Sequence, residues 1–172
     1  MNNLNNWIFG DFFGNGKVDT IRWLMRDSAG IEISNSSDSV QFDKLVELRG
    51  SQNPSCYLIG SMTPNNGIKI ASNKQLNGLT FFKNEGDLNN DGIDEFSYVI
   101  EWLDQSNHNT FHVSQIKVSQ IQELFAFPIW EWQLYDLQES ESLVNKIESG
   151  KIEYYFRNDD FEVVTAQIKL PN

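Results

Sequence analysis

The sequence predicts a mainly β fold, an antiparallel sandwich or two packed sheets with one or two short helices. Two observations carry that expectation. Apolar residues recur at every second position in several short stretches rich in Val, Ile, Phe, Tyr and Trp, the side chains that suit a pleated surface. Between those stretches lie clusters of Ser, Asn, Gly and Pro, not long helical patterns. A partial propeller-like or an α+β arrangement is the alternative. A full propeller is disfavoured, since even four blades of about 40–45 residues would consume the chain. With 172 residues the chain can bury a substantial core yet is short for two units, so 1–172 reads as a single domain.

Taken in order, Ile21, Trp23 and Met25 alternate and mark an early strand. Phe42, Leu45, Val46 and Arg49 sit at helical spacing before Gly50 and predict a short helix. The run Pro54-Ser55-Cys56-Tyr57-Leu58-Ile59-Gly60 reads as entry into a buried strand. Phe96, Tyr98, Ile100 and Trp102 alternate with Ser97, Val99 and Glu101, predicting a half-buried strand. Leu143, Val144 and Ile147 before Gly150 predict a second helix over 141–147. Ile152, Tyr154 and Phe156, then Val164, Ala166, Ile168 and Leu170, predict two more strands. Residues 35–39, 51–54, 63–67 and 105–109 read as surface loops.

Thirteen basic against twenty-four acidic residues give a formal net charge of −11, which opposes binding to nucleic acid or anionic membranes. There is no apolar run of about 18 residues, so no transmembrane segment is expected. The start Met1-Asn2-Asn3-Leu4 lacks the basic and apolar regions of a signal peptide. An extracellular or periplasmic location follows if a leader was removed, a cytoplasmic one if Met1 is native. The lone Cys56 excludes an intramolecular disulfide and a multi-thiolate zinc site, and its context places it in the core.

The most specific chemistry lies in Gly86-Asp87-Leu88-Asn89-Asn90-Asp91-Gly92-Ile93-Asp94-Glu95-Phe96. Side-chain oxygens fall on alternate positions, at Asp87, Asn89 and Asp91, around the turn-forming Gly92, with Glu95 closing the set. A hard cation wants six to eight oxygens, and this alternation delivers them from one loop. A degenerate copy lies 76 residues earlier, counting from Gly86 back to Gly10: Gly10-Asp11-Phe12-Phe13-Gly14-Asn15-Gly16-Lys17-Val18-Asp19-Thr20-Ile21. Each copy, at 10–21 and 86–97, runs from Gly-Asp through a Gly turn and an acid into an alternating strand.

The two loops resemble the calcium loops of FG-GAP repeats, found in integrin α-subunit propellers and bacterial extracellular repeat proteins, with the pattern Asp-x-Asp/Asn-x-Asp/Asn-Gly-x-x-Asp before a strand. The match covers about a dozen residues at each place, and the whole chain is similar to small bacterial proteins. The resemblance implies Ca2+ on Asp87, Asn89, Asp91, the carbonyl of Ile93, and Glu95, with Asp94 pointing away onto solvent or a hydrogen-bond donor. It implies a weaker site on Asp11, Asn15, the carbonyl of Lys17, and Asp19, because Phe13 occupies a ligand position and has no oxygen. An EF-hand is excluded: the twelfth positions are Arg22 and Tyr98, inside predicted strands. Without a metal, both sequences are also good hairpin turns closed by side-chain to backbone hydrogen bonds.

Other constellations are weaker. His108 and His112 are spaced i, i+4 but lack the glutamate of a zinc-protease helix and read as structural. Trp130 and Trp132, beside Phe125, Phe127 and Pro128, offer a ligand platform for a sugar ring or a protein, with packing as the commoner fate. No phosphate loop, nucleophile elbow or catalytic carboxylate pair stands out, which favours a non-enzymatic protein. The expectation is a calcium-binding β-rich binding or structural module, with protein or carbohydrate as possible partner. The alternative is an intracellular protein-interaction protein, such as an immunity protein masking a toxin, for which a small acidic domain is suitable.

Overall fold

In the computed structural model, which describes residues 6–34, 40–138, 141–158 and 160–171, the chain forms three successive antiparallel meanders. The loop expected over 35–39 lies outside the described residues. The first meander runs β1 (Trp7–Gly10), β2 (Asp19–Arg26), β4 (Ser55–Gly60) and β5 (Ile68–Ser72), with the short β3 (Glu32–Ile33) also paired to β2. The second is β6 (Leu76–Gly86), β7 (Glu95–Trp102), β8 (His108–Lys117) and β9 (Gln120–Trp130). The third is β10 (Val144–Glu148), β11 (Lys151–Arg157) and β12 (Val163–Lys169).

The mainly β, antiparallel expectation holds, but with three sheets where two were expected. The second sheet supplies residues to two cores. On one face Phe82, Phe96, Tyr98 and Ile100 pack with Ile21, Trp23, Met25, Cys56 and Leu58 of the first sheet. On the other, Val99, Phe111, Val113, Phe127 and Ile129 pack with Val144, Ile152 and Leu170 of the third. Strand β7 is therefore buried on both faces from Glu95 to Ile100, not half-buried. Alternation in its sequence separates two buried environments, one facing Phe96, Tyr98 and Ile100 and the other Glu95, Ser97 and Val99, instead of core from water.

The helix predicted at Phe42 is α1 (Phe42–Gln52), anchored by the buried Leu45 and Arg49. It continues through Gly50 and stops at Asn53, which takes the left-handed φ of 47° just before Pro54. Arg49 is held by three hydrogen bonds, from Nε to Asn77 Oδ1, Nη1 to Gln52 Oε1 and Nη2 to the Ser34 carbonyl. The helix expected over 141–147 is strand β10, a correction. Val144, Asn145 and Lys146 pair with Tyr154, Glu153 and Ile152, while Ile147, the third residue of the supposed apolar stripe, is 43% exposed. Gly150, at φ 67°, turns a hairpin there and does not end a helix.

Candidate metal centre

Each loop of the sequence repeat joins the first and second strands of a meander, β1 to β2 and β6 to β7. In the second loop the alternating polar residues first fold the backbone. Asp87 accepts the amides of Asp91 (3.2 Å) and Gly92 (3.0 Å), Asn89 Oδ1 accepts Asp91 N (2.9 Å), and Asp91 Oδ1 accepts Ile93 N (3.0 Å). Asn90 and Gly92 take left-handed φ values of 64° and 85°, which a short polar residue and a glycine tolerate. The chain thereby returns on itself within a few residues and delivers Glu95 into β7.

Glu95 is fully buried. Its Oε2 accepts the amides of Leu88 (2.6 Å) and Asn89 (3.4 Å). Burial raises its carboxyl to about 7; the Asp91 and Asp87 carboxylates push the same way, and the two amides oppose them. Its Oε1 faces the side-chain amide of Gln115, a fully buried residue of β8 that the loop sequence does not contain. One terminal atom of that amide stands 3.1 Å from Asp91 Oδ2 and 3.3 Å from Glu95 Oε1. The other is 3.2 Å from Gln122 Oε1.

This centre ties the three sheets together. Asp94 N donates to the Asp11 carbonyl (2.9 Å), and Asp94 Oδ2 accepts Asp11 N (3.0 Å) and Asn84 Nδ2 (3.1 Å), so the two loops are joined. Asp94 thus points onto donors, one of the two directions expected. A Cβ on Gly10 would come within 2.4 Å of Asp94 Oδ2 and 2.5 Å of Asn84 Nδ2, which is why glycine stands there. Toward the third sheet, Gly150 N donates to the Leu88 carbonyl (3.2 Å) and Asn89 Nδ2 to the Pro171 carbonyl (3.2 Å). Lys146 Nζ of β10 bonds the Asp87 carbonyl and Asn90 Oδ1.

Among the predicted ligands, then, the structure brings Asp91 and Glu95 together on a common neighbour. Asp87 faces the turn amides. Asn89 turns its nitrogen to Asp91 Oδ2 (3.3 Å), and its oxygen is engaged by the backbone. Among the described residues no group of three His, Cys, Asp or Glu side chains is placed to hold a metal. The oxygens of Asp91, which is exposed, and of the buried Glu95 are of the type a hard cation takes, but they are fewer than the six to eight it wants.

The first loop is closed mainly by its own bonds. Asp11 accepts the amides of Asn15 (2.9 Å) and Gly16 (2.6 Å), and Asn15 Oδ1 accepts Lys17 N (2.9 Å). Asp19 Oδ1 accepts from Ser61 Oγ (3.4 Å), whereas Asp19 Oδ2 is buried without a hydrogen-bond partner. Phe12 is fully buried and Phe13 packs against the same core, so the residue that replaces a ligand pins the turn.

No protein-family model, curated protein or solved structure matches the chain. No helix among the described residues is long and apolar enough to cross a membrane. Trp130 and Trp132 are both half-buried: Trp130 lies against His108 (centroids 3.6 Å) and Phe161 (4.9 Å), and Trp132 carries the Arg157 guanidinium at 4.8 Å. His112 stacks on Tyr98 and meets Glu123 Oε2 at 2.6 Å. Cys56 is buried and its thiol is pushed far up by burial. The neighbours of this loop that sequence reasoning missed are Gln115, Lys146 and Leu88. Only Leu88 had a local signal, an apolar residue inside a polar loop.

Proposed function

We propose that the chain is a non-enzymatic, calcium-stabilised β module in which the loop between β6 and β7 takes the ion. The reading is supported by loop chemistry of the FG-GAP kind and, above all, by one observation: the buried Glu95 and the exposed Asp91 approach the same end of the Gln115 amide. A buried acid beside a second carboxylate is costly unless a cation, a proton or a hydrogen-bond donor compensates it. A divalent ion there would tie the three sheets at their common corner. Asp91 and Glu95 would hold it, and Asp87 would shape the loop around it.

Thermal unfolding with and without calcium tests the proposal. At a hundredfold excess over the dissociation constant the ion adds about 2.7 kcal/mol, a rise of roughly 5–10 °C for a chain of this size. Asp91→Ala should lose most of that gain while retaining the fold. Identical melting curves in calcium and in chelator would end the reading.

A further inference from the structure

The first and second sheets share a core, and on one side of it they end in the edge strands β5 and β9. Between these two strands opens a cleft of about 470 Å³, a size that admits a small molecule. Ile68, Ile70 and Ile121 line it, the buried Tyr98 closes its floor, and Glu123 stands at its side. The one cation among its lining residues, Lys69, carries its ammonium over the Tyr57 ring (5.9 Å). Tyr57 alternates with the core residues Cys56 and Leu58, so that ring faces away from the cleft. Glu123 is the charge that remains. Its Oε2 lies 2.6 Å from His112 Nδ1, which donates to the ionised carboxylate, and the imidazole stacks on Tyr98 (centroids 4.7 Å, planes 10° apart). The carboxylate is thereby fixed from behind, while its Oε1 has no hydrogen-bond partner among the described residues. Burial raises the Tyr98 phenol to about 12 against the opposing pull of Ser114, and the Glu123 charge adds to the rise, so the field of this carboxylate reaches the floor.

We infer that the cleft binds a small organic ammonium ion, with its apolar body against the isoleucines and Tyr98 and its charge on Glu123 Oε1. An ammonium group brings three donors. Glu123 Oε1 accepts one, and among the described residues β5 and β9 have no strand on their outer edges, so backbone carbonyls without a sheet partner border the opening for the others. A ligand carboxylate would meet Glu123 with no cation facing it, and an uncharged ligand would displace water from Oε1 without replacing its charge-assisted bond. The net charge of −11 draws cations toward the whole chain. His112 is a positioning residue: it occupies Oε2 and leaves Oε1 to the ligand. This inference is independent of the calcium reading.

The test titrates the whole chain, in chelator, with three probes that share a cyclohexyl body and differ in the head: cyclohexylmethylammonium, cyclohexylmethanol and cyclohexanecarboxylate. NMR of the Ile68, Ile70 and Ile121 methyls reads the binding. The ammonium should shift these methyls and bind roughly three- to tenfold more tightly than the alcohol, with the carboxylate weaker than either. Glu123→Gln should bring the ammonium down to the affinity of the alcohol and leave the alcohol unchanged. His112→Phe retains a ring on Tyr98 but loses the donor to Glu123, and should lower the ratio of ammonium to alcohol affinity without moving the alcohol. If either variant fails to fold, the ranking of the three probes on the wild type decides. Equal affinity for all three probes, no binding of the ammonium, or shifts confined to residues outside the cleft would overturn the inference.

Discussion

Leu88 sits between two ligand-type positions of the loop, yet its side chain is 3% exposed and belongs to the second core with Val99, Phe111 and Ile152. It fastens the loop from within. Leu88→Ala should cost about 2–5 kcal/mol, measured by urea unfolding, because the β6–β7 corner cannot collapse onto the missing methyls. Glu131 gives a pH effect away from the loop. Burial raises its carboxyl above the ordinary value of 4.5, with Asp104 adding to the rise and the Asn109 amide opposing it. The folded state therefore holds this proton to higher pH than the unfolded chain does. Its contribution to stability is present in full below the unfolded value and is lost as pH rises through the folded value. Glu131→Gln retains an oxygen for Asn109 and should flatten that fall, seen as a smaller drop in melting temperature between pH 4.5 and neutrality.

At the scale of elements, the two loops behave as one piece, because Asp94 of the second holds Asp11 of the first through backbone and side chain. Asp94→Ala removes the acceptor of two donors, Asp11 N and Asn84 Nδ2, and should cost about 1–3 kcal/mol. Hydrogen exchange should then quicken at Asp11 and through the first loop even without calcium; unchanged exchange there would mean the loops fold independently. Much of this was legible in the sequence. The Asp, Asn and Gly spacing of both loops specifies turns closed by their own side chains, and those turns form as expected. What the spacing does not carry is which oxygens remain for an ion once the backbone amides are bonded, since that depends on what lies opposite. The segment 141–147 shows the same limit: Leu143, Val144 and Ile147 fit a helical stripe, but pairing with β11 satisfies the backbone and buries the first two.

Across the whole molecule, three meanders meet at the loop between β6 and β7, which is why a local ion is expected to act globally. Chelation should therefore raise exchange rates in β10 to β12 as well as in the loop, and an effect confined to residues 86–96 would contradict that coupling. The sequence by itself determined the antiparallel β class, the helix at Phe42, both turn loops and the aromatic face of β7, because period and turn chemistry are local properties. Only the tertiary structure decided that β7 is buried on both faces, that the sheets number three, and that Gln115 stands over Asp91 and Glu95. Those facts depend on residues far apart in the chain meeting across sheets, and no period within a single segment encodes such a meeting.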